Sequence, residues 1–407
     1  MPHAQTRHLM IHILRDQFNE AFSSSRYEEF LEDIHQSFGY TVPFRIAETP
    51  VFVDTVVRNK LFQAGEEVID FIARPDFFSF SRQAIPADWD MPRQSPHTLF
   101  LALDFAITKT REGSLEPRLI ELQGFPSLYG WQHLLASKYR DHFHIPSGFH
   151  NHVNLTDSEY VDLLRKTLLG GHDPQEVVLL EIDPYKQNTA IDFIVTQHLT
   201  GVTPVHIGDV VKKERHLFYR RQGILTPIRR IFNRVIVDEL ARRNDLSLPF
   251  SWTEELDVEW AGHPNWFFGI SKYLMPHLHN SFVPPCKLLS SYNEWPEDLE
   301  NYVLKPLFSF SGTGVVFNVR REDIDAIPAE KRNAYMLQQK VAYEPALRSP
   351  EGGVKIEVRL MYIWPEGAAR PVLVSNLARL SRGEMIGVRY NKDKRWVGAS
   401  VCFFAGT

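Results

Sequence analysis

Three apolar runs of strand length carry ionisable side chains in their interior: LFLALDFAIT (99–108), LIELQGF (119–125) and KIEVRLMYIW (355–364). A buried charge is tolerated only where it is paired or bound to a cation. Side chains two apart on a strand share a face. Glu121 and Gln123 are therefore expected on one face with Leu119, opposite Ile120 and Leu122. Glu357 and Arg359 are expected together, opposite Val358 and Leu360. The pattern predicts sheet strands with a polar cleft on one side. If the first two runs are neighbours, Asp104, Glu121 and the Gln123 amide oxygen form an all-oxygen cluster suited to Mg²⁺. A carboxylate satisfied by an arginine, and a structural Glu357–Arg359 salt bridge, fit the same pattern.

The stretch VLKPLFSFSGTGVVFNV (303–319) sets one lysine at the mouth of a glycine loop between two β-branched runs. It is not a Walker A motif, in which the lysine follows the glycines and opens a helix. A strand–loop–strand flap can still lie over phosphates, because backbone N–H groups approach closely where Gly312 and Gly314 carry no side chain. A plain hairpin with a flexible tip is the other reading of the loop alone.

The rest of the 407-residue chain sets the context. That length exceeds one ordinary core, so two or three lobes are expected. Residues 1 to about 75 read as helical, through YEEFLEDIHQSF and NKLFQAGEEVIDFIA. SEYVDLLRKTLL, EVVLLEID, TAIDFIVTQHLTG and VTPVHIGDV alternate helix and buried strand, which predicts a small Rossmann-like unit. It lacks GxGxxG, so no dinucleotide site is expected there. FGISKYLMPHL reads as a helix, and AYMLQQKV, PVLVSNLARL and RWVGASVCFF as strands. PIRRIFNRVIVDEL admits two readings: a carboxylate pocket lined by Arg229, Arg230 and Arg234, or a helix with a basic outer face.

The net charge of −5 points to neither a nucleic-acid nor a membrane partner. Two distant cysteines, Cys286 and Cys402, suggest a reducing compartment. The polar N-terminus does not read as a signal peptide or a span, so a cytoplasmic protein is expected. The seventeen histidines show no tight metal-ligand spacing and read as ordinary surface and core residues.

The order Ser271-Lys272, Val283-Pro284, VLKP with its glycine loop, then LQQKV resembles the nucleotide-binding half of an ATP-grasp enzyme. The acidic strands that follow in that family stand here near the beginning, as LALDF and LIELQG. The arrangement resembles a circularly permuted ATP-grasp protein, similar in its acidic strands to glutathionylspermidine synthase-like members. The resemblance covers about residues 95–407. It implies an α+β fold with a helical region (1–94), permuted metal-binding strands (95–154), a Rossmann-like pre-ATP-grasp domain (155–255) and nucleotide-binding lobes (256–407).

The resemblance also implies roles. Lys272 and Lys305 face phosphates, and Ser309, Ser311, Gly312, Thr313 and Gly314 form the flap over them. Gln338, Gln339, Lys340 and Val341 are the hinge that reads adenine, and Glu344 reaches the ribose. Asp104, Glu121 and Gln123 hold Mg²⁺. Arg359, with Arg379 or Arg382, steadies the transferred phosphoryl group, with Lys305 beside them. Two positions depart from the family pattern: Gln123 stands in place of an asparagine, and the flap carries no basic side chain. The implied activity is an ATP- and Mg²⁺-dependent ligase joining a small-molecule or peptide carboxylate to an amine through an acyl phosphate. The alternatives are a kinase acting on a small hydroxyl compound, or a nucleotide-binding scaffold without turnover.

Overall fold

The computed structural model describes residues 2–309, 312–383, 391 and 393–406. The chain is a mixed α and β structure with five sheets among the described residues. No helix among them is long and apolar enough to cross a membrane.

The largest sheet has six strands and joins the two ends of the chain. The strand Phe100–Lys109 pairs antiparallel with Leu115–Gln123 on one side and Gly352–Ile363 on the other; Val372–Ser381 and Gly398–Ser400 follow outward. The three runs with interior charges are thus consecutive strands. On the apolar face, Leu101, Leu103, Phe105, Leu119, Val358 and Leu360 are buried against the helix Thr55–Ile72. That helix, started by the Asp54 side chain accepting from Val57 N–H, buries Leu61, Ala64, Val68 and Ile69. The N-terminal region therefore backs the sheet, a role not legible in its sequence. Gly65 marks the contact: a Cβ there would lie only 2.2 Å from the Tyr362 hydroxyl. The N-terminal strand Val51–Val53 also pairs in parallel with Cys402–Ala405.

One expectation about faces is overturned. The register slips between Asp104 and Phe105, so Asp104 opposes Glu121 while Phe105 opposes Leu119. The extra residue is Ile120. A β-bulge inserts one unpaired residue and reverses the alternation, so Leu119 joins the core while Glu121 turns to the opposite face with Asp104.

A second sheet, with strand order 286–288, 335–339, 302–306, 316–317, carries the glycine loop. Its outer face buries Leu289, Leu304, Val319, Ile324 and Leu337 in a small core of their own. The expected strand after the loop is short, Val316–Phe317. FGISKYLMPHL does not form one α-helix: Trp266–Gly269 is a single turn, and Lys272–His277 is a 3₁₀ helix containing Pro276. A proline without an N–H cannot continue an α ladder.

The stretch from 157 to 260 alternates helix and strand. Four parallel strands stand in the order 259–260, 230–233, 177–181, 203–206, flanked by helices Asp157–Leu169 and Ala190–Thr200. Gly201 ends the second helix with φ +81. The stretch around Arg230 is strand rather than helix, because Arg230–Asn233 is inserted between two parallel neighbours. Arg230 and Arg234 are both buried and hydrogen-bonded. Arg230 donates to Thr167 O, Leu168 O, Glu259 and Glu366. Arg234 donates to Phe125 O and Pro126 O.

Candidate functional site

The polar face of the large sheet gathers its charges by register. Asp104 opposes Arg359, Ala106 opposes Glu357, and Glu357 opposes Arg379. Arg359 donates from Nε and Nη2 to the two oxygens of Asp104, at 2.6 and 2.7 Å. Arg379 donates to Asp104 Oδ2 at 2.7 Å and also pairs with Glu357. The Tyr343 hydroxyl donates to Glu357 at 2.6 Å. Burial pushes the Asp104 carboxyl up, but the two guanidiniums outweigh it and hold it below the usual carboxylate range. Tyr343, missed by the sequence reading, is raised well above a free phenol by burial and by Glu357. No sequence signal points to it beyond its place two residues after the hinge.

The second sheet brings its lysines to the same place. Lys272 Nζ lies 2.8 Å from Glu121 Oε1 and donates to Ser309 O at 3.0 Å, tying the base of the glycine loop to the acidic strand. Lys305 Nζ donates to Ile120 O at 3.1 Å and to the Gln338 amide oxygen. Gln338 Nε2 donates in turn to Leu119 O at 3.3 Å. The bulge therefore does two things: it turns Glu121 toward Lys272, and it presents the Ile120 carbonyl to Lys305. Burial lowers Lys305 to about 8, against the pull of Glu121. Burial raises the Glu121 carboxyl, but Lys272 and Lys305 leave it net below its ordinary value. Four cationic side chains thus face three carboxylates, and the cluster carries excess positive charge.

Oxygens of Glu121 and Ile120 are thus in direct contact with the tips of Lys272 and Lys305. Gly312 and Gly314 both have φ +73, and a Cβ on Gly314 would meet the Pro306 ring at 2.9 Å. Ser311 lies outside the described residues, and Thr313 is exposed within the loop. Beneath the loop, a cavity of about 30 Å³ is lined by Glu121, Gln123, Lys272, Phe308 and Ser309. It has room for water and no more. A larger cavity of about 630 Å³ opens beside Cys286, Lys287 and Tyr302. Cys286 and Tyr302 oppose the hinge residues Gln338 and Gln339 in the ladder.

Other expected residues have other neighbours. The hinge N–H groups of Gln339 and Lys340 donate to Pro285 O and Asn301 O, both at 2.8 Å. Lys340 Nζ donates to Asn318, across from the loop strand. Glu344 is paired with Lys109 at 3.4 Å. Arg382 sits on Glu351 at 2.7 Å and Ser349 at 3.2 Å, whereas Arg379 is the one of the pair that reaches Asp104.

The exit from the acidic strand is fixed from the Rossmann-like side. The buried Asp192 carboxylate accepts from the N–H groups of Leu128 and Trp131, at 2.8 and 3.0 Å, where helix Tyr129–His142 begins. Burial raises Asp192 above the usual carboxylate range.

No protein-family model matches the chain, and no curated protein matches it in sequence. Among solved structures, the chain is similar to a glutathione synthetase-like effector (GSS30) from Globodera pallida in its apo form. The match has a TM-score of 0.59 and covers 94% of this chain and 96% of that chain, at 10% sequence identity. What the two share is the fold.

Proposed function

We propose that this chain is an ATP-dependent carboxylate–amine ligase of the ATP-grasp type, with its acidic strands permuted to the N-terminal side of its nucleotide-binding lobes. On this reading residues 95–154 and 256–407 make one ATP-grasp body, with 155–255 as the pre-ATP-grasp domain and 1–94 as a backing region. The observation that carries the reading is Lys272 bridging Glu121 and the base of the glycine loop, with Lys305 one carbonyl away. The glutathione synthetase-like fold supports the same assignment.

The residues present fit a nucleotide bound with Mg²⁺ in part. Glu121 and Gln123 line the small cavity and would hold the ion; Asp104 has both oxygens engaged by arginines. When bound, Mg²⁺ supplies charge neutralisation across the phosphates. Lys272 and Lys305 would oppose the charge of the transferring phosphoryl group, and Arg359 and Arg379, held rigid by Asp104, would orient it. In the reaction a substrate carboxylate oxygen attacks the γ-phosphorus and ADP leaves. An amine then attacks the acyl carbon, the C–O bond to phosphate breaks, and the amine proton passes to solvent. No protein nucleophile is required. The hinge from Gln338 to Val341, with Glu344 beyond it, would read the nucleoside beside the larger cavity. A triphosphate needs several hundred Å³, so the cavity must widen on binding and Lys272 must exchange Glu121 for phosphate.

The test is calorimetry with ATP and Mg²⁺, followed by ADP release across a panel of acids and amines. Binding together with ADP release that requires both an acid and an amine supports the ligase; absence of ATP binding overturns it. A second reading, nucleotide binding without turnover, is favoured by the full engagement of Asp104 and by glutamine at position 123. It predicts binding with no ADP release from any pair in the panel.

A further inference from the structure

A second cluster lies away from the charged face, where helix Tyr129–His142, helix Asp157–Leu169 and the strand Val372–Ser381 meet. Among the described residues, His133, His152 and Asp157 present one ligand atom each within 4.8 Å of one another. His133 Nδ1 is 3.1 Å from His152 Nε2, and His152 Nε2 is 3.6 Å from Asp157 Oδ1. Donor atoms about a tetrahedral zinc ion, each about 2.0–2.1 Å from it, stand roughly 3.3 Å apart. The two distances bracket that value.

The surroundings have the form of a built ligand set. His152 is buried, and its Nδ1 lies 3.3 Å from Val374 O, a carbonyl that can only accept. The proton is therefore on Nδ1, and the Nε2 lone pair points at His133 and Asp157. A backbone carbonyl on the far nitrogen is how ligating imidazoles are usually oriented. The Tyr160 ring stacks on His152 at 4.0 Å and on His133 at 5.6 Å, holding both rings. Arg140, the neighbouring cation, is turned to Phe149 O and Asn151 and lies over the Phe403 ring. Asp157, the first residue of its helix, has a side chain 64% exposed, so the site opens to solvent on that side.

We propose that His133, His152 and Asp157 form a binding site for a zinc-class divalent cation, completed by water. Two imidazoles and one carboxylate select such ions over Mg²⁺ or Ca²⁺. The ion would pin the starts of two segments to the strand that carries Arg379 five residues further on, about 17 Å away. Its role is a staple, independent of the nucleotide reading.

The test uses the full chain, stripped with chelator and titrated with Co²⁺ alone, then Zn²⁺ alone. The site predicts one equivalent of Co²⁺ with the visible ligand-field absorption of a tetrahedral N/O site, displaced by Zn²⁺. Asp157→Asn and His133→Gln each weaken binding by at least about tenfold. Zn²⁺ raises the Tm of the wild type and leaves that of the double variant unchanged. With the fold of the variants verified by circular dichroism, equal affinity and spectrum in wild type and double variant overturns the proposal. So does a wild type that takes up no Co²⁺.

Discussion

Arg359 lies directly across the ladder from Asp104 and closes both oxygens of a carboxylate that has lost contact with solvent. The pair sits at the centre of a sheet made from both halves of the chain, so it reports on how those halves meet. Removing Arg359 leaves Arg379 alone to compensate both Asp104 and Glu357 on the buried face. Arg359→Met should destabilise the protein by about 3–5 kcal/mol, while Asp104→Leu combined with Arg359→Met should recover most of the loss. Urea denaturation of the three variants measures this.

Lys272 makes two charge-assisted contacts that a phosphate would replace. Under the ligase reading, Lys272→Gln should weaken ATP binding by roughly 10–100-fold, the size of a charged hydrogen bond of about 1.5–3 kcal/mol. The unliganded Tm should also fall, because Lys272 is buried and its loss takes a counter-charge from Glu121. Calorimetry beside thermal melts separates the two effects.

Lys305 is lowered to about 8 by burial. Phosphate binding favours its protonated form, so nucleotide binding at pH 8–9 should take up a proton. Affinity should then fall as pH rises above 8. Titrations in buffers of different ionisation enthalpy reveal the uptake, and Lys305→Met should abolish it.

Glu181 gives a pH dependence of the opposite origin. It is 3% exposed, and burial raises its carboxyl to about 8 against the attraction of Arg234. The folded state therefore holds a proton that the unfolded state releases near 4.5. The stability contributed is complete below that value and is lost as pH rises through 8. Glu181→Gln should flatten stability between pH 5 and 8, as read from denaturation midpoints.

Gly65 lets the backing helix touch the sheet. Gly65→Ala should cost about 1–3 kcal/mol by overpacking, because its Cβ would strike the Tyr362 hydroxyl and crowd Leu360. That hydroxyl has no hydrogen-bond partner among the described residues, so adding Tyr362→Phe should restore part of the loss. Thermal melts of the single and double variants measure both.

Alternation and composition alone determined that 99–108, 119–125 and 355–364 are strands with ionisable side chains in their interior, and that Glu121 and Gln123 point the same way; that Asp104 lies beside them was decided by the pairing and the Ile120 bulge. Alternation and composition also marked the parallel unit around 177–206, since long apolar runs broken by turn residues carry their period in local order. Only the tertiary structure decided the rest. The Ile120 bulge, the strand at 230–233 and the helix behind the sheet each depend on what a distant segment presents across the ladder or the core. The same holds for partner choice: sequence can say that a buried carboxylate needs a counter-charge, but whether Asp104 finds a metal or Arg359 and Arg379 is settled by which strand lies beside it. Local periodicity sets which way a side chain points, and packing sets what it meets.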